Sequence, residues 1–331
     1  MLGHGSLAGG GRRGATGRGV RRTRGSMIQR NLMALMLAAM CLPVVAADKT
    51  LFAANSKYNY ITVVDRGSFR ILSFNGSQES RMSNYRGKGH MGHFEYTEFL
   101  QMPLVWKPNA KRVLMIGLGG GSTQKAYRLY YPDIHVDVAE IDPMVVQVAA
   151  RFFGVREGPG LKMNVGDGRR FLKQNKEKYD IILLDAYTST RKGSNIPYHL
   201  ATKEFFQLTS DNLTADGVLA YNVIGTYGGW RADNVGSLYK TIKSAFPHVY
   251  HFPATESKNI VYVAPKEKAA LTTQSLRTKY TALLKQQPQL SPNFLKRIQV
   301  IRNQPPVSAA NSPVLLDAYT PASGMLGSRS R

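Results

Sequence analysis

The sequence predicts an α/β fold, in which a Rossmann-like domain follows a small antiparallel β domain. Two observations favour the Rossmann-like part: an apolar run at residues 113–116 enters a glycine-rich loop, and a second run at 134–139 ends on an acid. The third observation is a set of short alternating segments with turn residues within 58–82, which is typical of antiparallel strands. Strands joined through a helix form a parallel βαβ unit, so the chain is expected to contain both kinds of sheet.

The loop after the first apolar run is suited to close approach of a ligand. Four of its five residues are glycines, at Gly117, Gly119, Gly120 and Gly121. Glycine has no Cβ and adopts positive φ without strain, so the backbone can turn tightly and lie against a ligand. The second apolar run ends on Glu140, whose carboxylate can accept two hydrogen bonds from a ribose diol. This spacing indicates a nucleoside site.

Two further acids follow later apolar runs. Asp167, paired with Gly168, comes after one run and Asp185 ends another. Ligands of open α/β sheets bind beyond the carboxyl ends of the strands, so we expect these acids to lie with Gly117 and Glu140 along one sheet edge. The alternative interpretation is an ordinary glycine-rich turn of an α/β domain, without a ligand.

The remaining elements follow from periodicity and turn residues. Helical spacing over 94–104 ends near Pro103, and Asp142 with Pro143 is a typical helix start. A polar loop over 186–197 lies at the predicted ligand edge, where it is either a lid over the site or an ordinary connector. The pattern then predicts helices at 202–213 and 234–246, a strand at 217–224, an antiparallel pair at 248–252 and 259–264, and two helices within 266–302. We divide the chain into a leader (1–47), an N-terminal β domain with a linking helix (48–105), the Rossmann-like domain (106–265), and a C-terminal helical segment and tail (266–331).

The leader has the composition of a processing segment. Residues 1–26 are rich in glycine and arginine and are predicted to be disordered. Met27 begins a signal-peptide layout, with Arg30, an apolar stretch over 32–45 and small residues before Asp48. The apolar stretch is too short to span a bilayer comfortably. We therefore expect an exported protein, periplasmic in a bacterium, with a cytoplasmic or membrane-anchored location as the alternative.

The chain is strongly basic, with a formal net charge of +23 over 331 residues. Residues 1–47 contribute seven arginines and no acid, and the other basic residues form no dense run, zinc finger or RNA-binding motif. A generally basic surface is therefore expected rather than a nucleic-acid partner. The single cysteine, Cys41, excludes an intramolecular disulfide framework. His90 and His93 alone are a weak metal signal, so no metal is expected.

With these motifs the chain resembles the spermidine/spermine synthase family, the polyamine aminopropyltransferases, and most closely their synthase-like bacterial branch. The resemblance implies that a Rossmann-like domain of the methyltransferase type follows a small β domain. It also implies a homodimer with two small-molecule substrates, a polyamine and decarboxylated S-adenosylmethionine as the aminopropyl donor. No permanently bound cofactor is expected.

The resemblance also assigns roles to individual residues. On the nucleoside side it implies six: Gly117, Gly119, Gly121, Glu140, Asp167 and Gly168. Glu140 would bind the ribose hydroxyls, and Asp167 with Gly168 would lie beside the adenine. On the polyamine side it implies Tyr96 and Glu98. A family glutamine on that side corresponds to either Gln78 or Glu79 of this chain.

The chain departs from the family pattern at the cationic substrate groups. Asp185 opens the segment that carries the catalytic acid, but the second acid, which deprotonates the attacking amine, is replaced by Thr188. The family's glycine motif carries an aspartate where this chain has Gly120. Because of Thr188 and Gly120 we expect an intact nucleoside half, a depleted cation half, and slow or altered transfer. The segment 183–188 recurs at 315–320 without a wider repeat, so no duplicated unit is expected.

The predicted chemistry needs little beyond alignment and an unprotonated amine, because aminopropyl transfer displaces a neutral leaving group beside a sulfonium. Two alternatives stay open. Methyl transfer uses the same scaffold with S-adenosylmethionine itself, whose carboxylate an aspartate would repel but Gly120 would tolerate. A non-catalytic nucleoside- or polyamine-binding protein is the other alternative, and Thr188 favours it.

Overall fold

The computed structural model describes residues 47–190, 193–321 and 323–326. The predicted disordered extension and signal peptide therefore lie outside the described residues, except for Ala47. Within those three ranges no helix is both long and apolar enough to cross a membrane.

A four-stranded antiparallel sheet opens the described chain and confirms the predicted hairpin pattern. Its strands pair in chain order: β1 (Lys49–Asn55), β2 (Tyr60–Arg66), β3 (Phe69–Phe74) and β4 (Ser77–Ser83). Asn75 and Gly76 join β3 to β4 with φ of 51° and 88°, the left-handed pair that a two-residue hairpin needs. The predicted strands begin at residue 58, so β1 was not predicted.

The linking segment forms two short helical turns where the spacing predicts one helix. α1 (Tyr96–Phe99) is followed by a 3-10 helix at Met102–Val105. Pro103 has no backbone N–H and its ring clashes with the carbonyl of the preceding turn, so an α-helix cannot continue through it. The prediction of one continuous helix over 94–104 is therefore wrong, although Phe99, Leu100 and Leu104 are buried and Phe94 is half-buried.

The remaining strands build a central sheet and a small satellite sheet. They are β5 (Arg112–Ile116), β6 (His135–Glu140), β7 (Leu161–Val165), β8 (Tyr179–Leu184), β9 (Thr188–Thr190), β10 (Gly193–Pro197), β11 (Leu213–Ile224), β12 (Tyr250–Pro253), β13 (Asn259–Pro265) and β14 (Met325–Leu326). The central sheet has the order β12-β13-β11-β8-β5-β6-β7. Its five strands from β11 to β7 run parallel, and β13 is antiparallel to both β11 and β12. This confirms the Rossmann-like prediction and its antiparallel closing pair.

Helices cover both faces of the central sheet. They are α2 (Ser122–Tyr130), α3 (Pro143–Phe153), α4 (Gly168–Gln174), α5 (Lys203–Asn212), α6 (Ala232–Lys243), α7 (Thr273–Gln286) and α8 (Phe294–Ile298). Alternate residues of a strand point to opposite faces, so Val113 and Met115 of β5 enter one apolar cluster while Leu114 and Ile116 enter the other. Because both faces are buried, the carboxyl ends of the strands are left as the accessible edge.

The segment predicted as a polar loop over 186–197 forms a hairpin instead. β9 pairs with β10, and β14 pairs with the other side of β10. The prediction fails because β9 and β10 are short and polar and show no alternation of apolar and polar residues. The pairing of β10 with β14 is long-range and leaves no local pattern. The predicted domain boundaries at 105/106 and 265/266 stay predictions.

Candidate active site

The site begins at the carboxyl end of β5, where Gly117 turns the chain toward α2. Its φ is 97°, and a Cβ at this position would lie 2.2 Å from the backbone oxygen of Asp185. No side chain fits between these two strand ends, so the position needs glycine for its conformation and for its lack of volume. The ends of β5 and β8 are therefore in direct contact.

The rest of the glycine loop packs against the N-terminal sheet. Gly119 has φ of 53°, and Gly121 has φ of 72° directly before α2. The Gly120 N–H donates to Ser80 Oγ at 2.9 Å, and a Cβ on Gly120 would lie 2.8 Å from the Ser80 Cβ. A Cβ on Gly121 would lie 2.5 Å from Val155. A larger residue at either position would displace its neighbour, so this loop is fitted closely to Ser80 of the N-terminal sheet and to Val155 after α3.

Glu140 ends β6 at the same edge, and its side chain is buried. Its Oε2 accepts the Leu118 N–H and its Oε1 accepts the Asp142 N–H, both at 2.9 Å. Burial raises the pKa of Glu140 to about 7, although these backbone N–H groups favour the charged form. Each carboxylate oxygen has a further lone pair, so Glu140 can still accept hydrogen bonds from two ligand hydroxyls.

Asp167 and Gly168 lie beyond the end of β7. Asp167 caps α4, because its Oδ1 accepts the Arg170 N–H at 2.8 Å, and its Oδ2 lies 2.8 Å from the Nε2 of His199. The hydrogen bond with His199 holds the pKa of Asp167 below its usual range. A Cβ on Gly168 would lie 2.3 Å from Cγ2 of Ile116, so glycine allows α4 to begin against β5.

Asp185 lies at the end of β8 and forms the opposite side of the cleft with Tyr96. Its Oδ1 accepts the Asn222 side-chain amide at 2.8 Å, and its Oδ2 accepts the Tyr96 hydroxyl at 3.3 Å. Burial raises the pKa of Asp185 to about 6, and the nearby charge of Glu79 acts in the same direction. A cationic ligand beside Asp185 would reverse this effect by favouring the charged carboxylate.

Glu79 reaches the same side from β4. Its Oε1 accepts the Ser189 hydroxyl at 2.6 Å and the Ser194 hydroxyl at 2.8 Å. Because these serines belong to β9 and β10, Glu79 links the N-terminal sheet to the hairpin. Burial raises the pKa of Glu79. Gln78 is exposed, so Glu79 is the member of this pair that faces the cleft.

Thr188 lines the cleft at the start of the hairpin, and it is exposed. Its neighbour Tyr187 donates its hydroxyl to the Asn222 carbonyl and so fixes this wall. A threonine hydroxyl is not a base at neutral pH, so any proton acceptor on this side has to be Asp185 or Glu79.

The structure does not bring Glu98 to the cleft, which corrects its predicted position on the polyamine side. Successive helical residues are rotated by about 100°, so Tyr96 and Glu98 on α1 point to opposite sides. Tyr96 lines the cleft, whereas Glu98 forms an ion pair with Arg297 of α8 and accepts the Asn293 amide. Glu95 is also paired with Arg297, at 2.5 Å, and this carboxylate pair instead anchors the C-terminal helices.

These residues enclose one cleft, with an empty volume of about 1180 Å³ that includes its open mouth. Eight predicted site residues line it: Tyr96, Gly117, Gly119, Glu140, Asp167, Gly168, Asp185 and Thr188. Gly121 does not line the cleft, and its positive φ instead forms the turn into α2. Across residues 47–190, 193–321 and 323–326, no group of three or more histidine, cysteine or acidic side chains is placed to hold a metal.

A family model described as the spermine/spermidine synthase domain matches residues 93–274. The chain belongs to this family. It is 32% identical over 232 residues to a polyamine aminopropyltransferase of Vibrio vulnificus, covering 67% of this chain and 75% of that protein. It is 29% identical over 217 residues to a polyamine aminopropyltransferase of Streptococcus pneumoniae serotype 4, covering 62% and 72% of the two proteins.

Solved structures of this family share the fold. A probable spermidine synthase from Corynebacterium glutamicum superposes with a TM-score of 0.63 at 17% identity, over 80% of this chain and 96% of that one. Spermidine synthase from Thermotoga maritima gives a TM-score of 0.54 at 20% identity, over 75% and 86%. At these identities the likeness concerns the fold alone.

Three residues in or directly behind the cleft were not predicted from the sequence. His199 looks like a helix-entry residue, and Asn222, which holds Asp185 from behind the cleft, looks like an ordinary position of a buried strand. Ser80 lies in a short alternating segment that predicts only a strand. For His199, the one available signal was that it follows Pro197 after a polar segment at the ligand edge.

Proposed function

We propose that this family member transfers an aminopropyl group from decarboxylated S-adenosylmethionine to a polyamine such as putrescine, with reduced or altered activity. The observation that carries the proposal is one cleft in which Glu140 and Asp167 face a wall formed by Asp185 and Glu79. The first pair suits a ribose and an adenine, and the second pair suits an ammonium group. The similarity to polyamine aminopropyltransferases supports the same reaction class.

The reaction is a displacement at the carbon beside the donor's positive sulfur. The lone pair of the acceptor nitrogen forms the new C–N bond while the C–S bond breaks. The electron pair of the C–S bond stays on sulfur, neutralises the sulfonium and gives methylthioadenosine as the leaving group. The proton released from the acceptor nitrogen goes to a carboxylate, for which Asp185 is best placed because Asn222 and Tyr96 fix its orientation. The protein mainly contributes alignment in a shielded cleft.

Reduced or altered activity follows from the replaced acid at Thr188. Glu79 supplies negative charge to the same wall from a different element, so the acceptor's position is expected to differ from that in relatives with an acid at 188. Burying a cation without a partner is costly, and Glu79 and Asp185 are the carboxylates available to offset that cost.

Methyl transfer is the second candidate, favoured by Gly120. A Cβ at position 120 would lie 2.8 Å from the Ser80 Cβ, so an aspartate does not fit there and no acid at this position repels the carboxylate of S-adenosylmethionine. Against this candidate, the carboxylate of S-adenosylmethionine would have to approach Glu79 and Asp185, which repel it. A non-catalytic binding protein stays the third candidate because of Thr188.

One assay separates these candidates. Donor labelled in the aminopropyl group is incubated with a panel of diamines and polyamines, and labelled product is counted. Calorimetry with decarboxylated S-adenosylmethionine, S-adenosylmethionine and methylthioadenosine accompanies it. We expect labelled product from at least one amine and tighter binding of the decarboxylated donor. Preference for S-adenosylmethionine would favour methyl transfer, binding without product a non-catalytic role, and no binding would remove every nucleoside hypothesis.

We also propose export with cleavage before Asp48, and a homodimer. The leader composition supports the first proposal, and family membership supports the second. N-terminal sequencing of the protein recovered from cell fractions tests the cleavage, with Asp48 expected as the first residue. Light scattering of the processed protein tests the dimer, and a monomer mass at micromolar concentration would contradict it.

A further inference from the structure

His199 and Asp167 form a polar pair within the cleft. The His199 Nε2 lies 2.8 Å from the Asp167 Oδ2, and both side chains line the cleft. A carboxylate can only accept, so the shared proton sits on Nε2. The other lone pair of Oδ2 can accept a hydrogen bond from a ligand, and the position of the imidazole ring fixes its direction.

The other end of His199 is held by the residue that follows Gly168. Arg169 donates through one guanidinium nitrogen to the His199 carbonyl oxygen at 3.0 Å. The same guanidinium binds both carboxylate oxygens of Asp317, at 2.8 Å and 2.5 Å. His199 is thus fixed at its ring by Asp167 and at its backbone by Arg169, and Arg169 is fixed by the C-terminal segment.

That segment, residues 315–317, is anchored to the region around His199. The Lys203 N–H donates to the Leu315 carbonyl at 2.8 Å, and the Tyr198 hydroxyl donates to the Leu316 carbonyl at 3.3 Å. Thr202 donates its hydroxyl to Asp317 at 2.7 Å, and Leu315 is buried. The repeated stretch near the C-terminus therefore packs behind the cleft rather than forming a second site.

We propose that His199 is a positioning residue that aims Asp167 at the exocyclic amino group of an adenine base, and that residues 315–317 hold His199 there through Arg169. This inference rests on the nucleoside half of the proposed function. It assigns the base selectivity of the cleft to a histidine and a C-terminal segment that lie far from Asp167 in the sequence.

The carboxylate of Asp167 can distinguish a 6-amino purine from a 6-oxo purine. An ionised carboxylate accepts a hydrogen bond from a 6-amino group but is repelled by the oxygen of a 6-oxo purine. The Arg170 N–H holds Oδ1, and the imidazole holds Oδ2. Without the imidazole Oδ2 can tilt away from the base, and part of that discrimination is lost. We therefore expect removal of the imidazole to weaken the preference for the 6-amino base more than it weakens binding of the sugar.

The test compares methylthioadenosine with methylthioinosine, which differ at position 6 and in the hydrogen that the 6-oxo base carries on N1. The N1 contribution is common to all variants, so the change in preference between variants is what is compared. Calorimetry measures both Kd values for the wild-type chain, His199→Ala and His199→Gln, and for His248→Ala as a control. The Nε2 of glutamine can replace that of histidine as a donor, and His248 lies outside the cleft against the Lys268 carbonyl. Wild type should prefer the 6-amino ligand by about tenfold or more, as expected for one hydrogen bond to a charged group.

The expected result is that His199→Ala loses most of that preference, His199→Gln regains it, and His248→Ala keeps it. Asp317→Asn should shift the preference in the same direction by a smaller factor, because the hold on Arg169 is weakened. An unchanged preference in His199→Ala, with wild-type binding intact, would overturn the inference alone. Failure of the wild-type chain to bind methylthioadenosine would instead count against the proposed function. Equal losses for both ligands in His199→Ala would indicate a structural role only.

Discussion

The two halves of the cleft are built in different ways. The half proposed to bind the nucleoside (the nucleoside half) comes from one continuous part of the chain, between Gly117 and Gly168, at the tips of adjacent parallel strands. The half proposed to bind the amine (the amine half) is assembled from separate elements, with Glu79 on β4, Tyr96 on α1 and Asp185 at the end of β8. Backbone geometry fixes the first half, whereas side-chain hydrogen bonds fix the second.

This difference predicts how each half responds to change. A substitution in the nucleoside half disturbs the fold as well as the ligand, because its glycines are in contact with neighbouring backbone or side chains. A substitution in the amine half removes a charge or a proton acceptor and leaves the strands in place. The amine half is therefore the part in which relatives can diverge without losing the fold.

The largest effect is expected at Gly117. In Gly117→Ala the new Cβ would collide with the Asp185 carbonyl, so we expect a loss of about 3 kcal/mol in the free energy of unfolding and loss of nucleoside binding. Gly67→Ala is the control, because Gly67 also has positive φ, 55°, but open space around its Cβ position. It should cost only about 1 kcal/mol. Equal losses in urea unfolding would show that the contact between β5 and β8 is unimportant.

The second effect concerns the proton acceptor. Asp185→Asn keeps the hydrogen bond from Asn222 but cannot take a proton, so kcat should fall by about a hundredfold or more while donor binding persists. In the wild type, kcat/KM for the amine should fall as pH drops through about 6, because a protonated Asp185 cannot accept. The measurement is a pH profile at saturating donor, for both proteins. A wild-type profile matched by the variant at every pH would exclude Asp185 as the base.

A smaller effect is expected for Glu79→Gln. The glutamine oxygen can still accept from Ser189 and Ser194, so the hairpin should stay in place while the charge is lost. We expect KM for the amine to rise about tenfold, with KM for the donor unchanged. Gln78→Ala is the control, since Gln78 is exposed and should leave both constants unaltered. A rise in the donor KM alone would show that Glu79 acts in the nucleoside half of the cleft instead.

The smallest effect is an expected gain. Thr188→Asp restores a carboxylate to the hairpin wall, and we expect transfer to putrescine to increase by about threefold to tenfold, as one added charge contact would give. Steady-state rates at fixed donor measure it, and thermal unfolding checks that the exposed position tolerates the acid. No increase would contradict the assignment of position 188 to the family's catalytic acid.

Much of the fold could be predicted because its signals are local. The apolar runs that end at Ile116, Glu140 and Leu184 predict buried parallel strands, and the structure has them at those places. The predicted helix over 94–104 is wrong because Pro103 divides it. The predicted loop over 186–197 contains a hairpin whose short polar strands show no apolar alternation, and a distant strand joins its sheet.

The sequence by itself determined the nucleoside half, since glycines and acids at strand ends follow from the period of the strands and the conformational needs of tight turns. Only the tertiary structure decided the amine half. It turned Glu98 away toward Arg297 and brought Glu79 in from the N-terminal sheet. In the nucleoside half it added one contact that no local pattern predicts, His199 on Asp167. The physical reason is that side-chain direction on a short helical turn, and contacts between distant elements, depend on packing that no local pattern records.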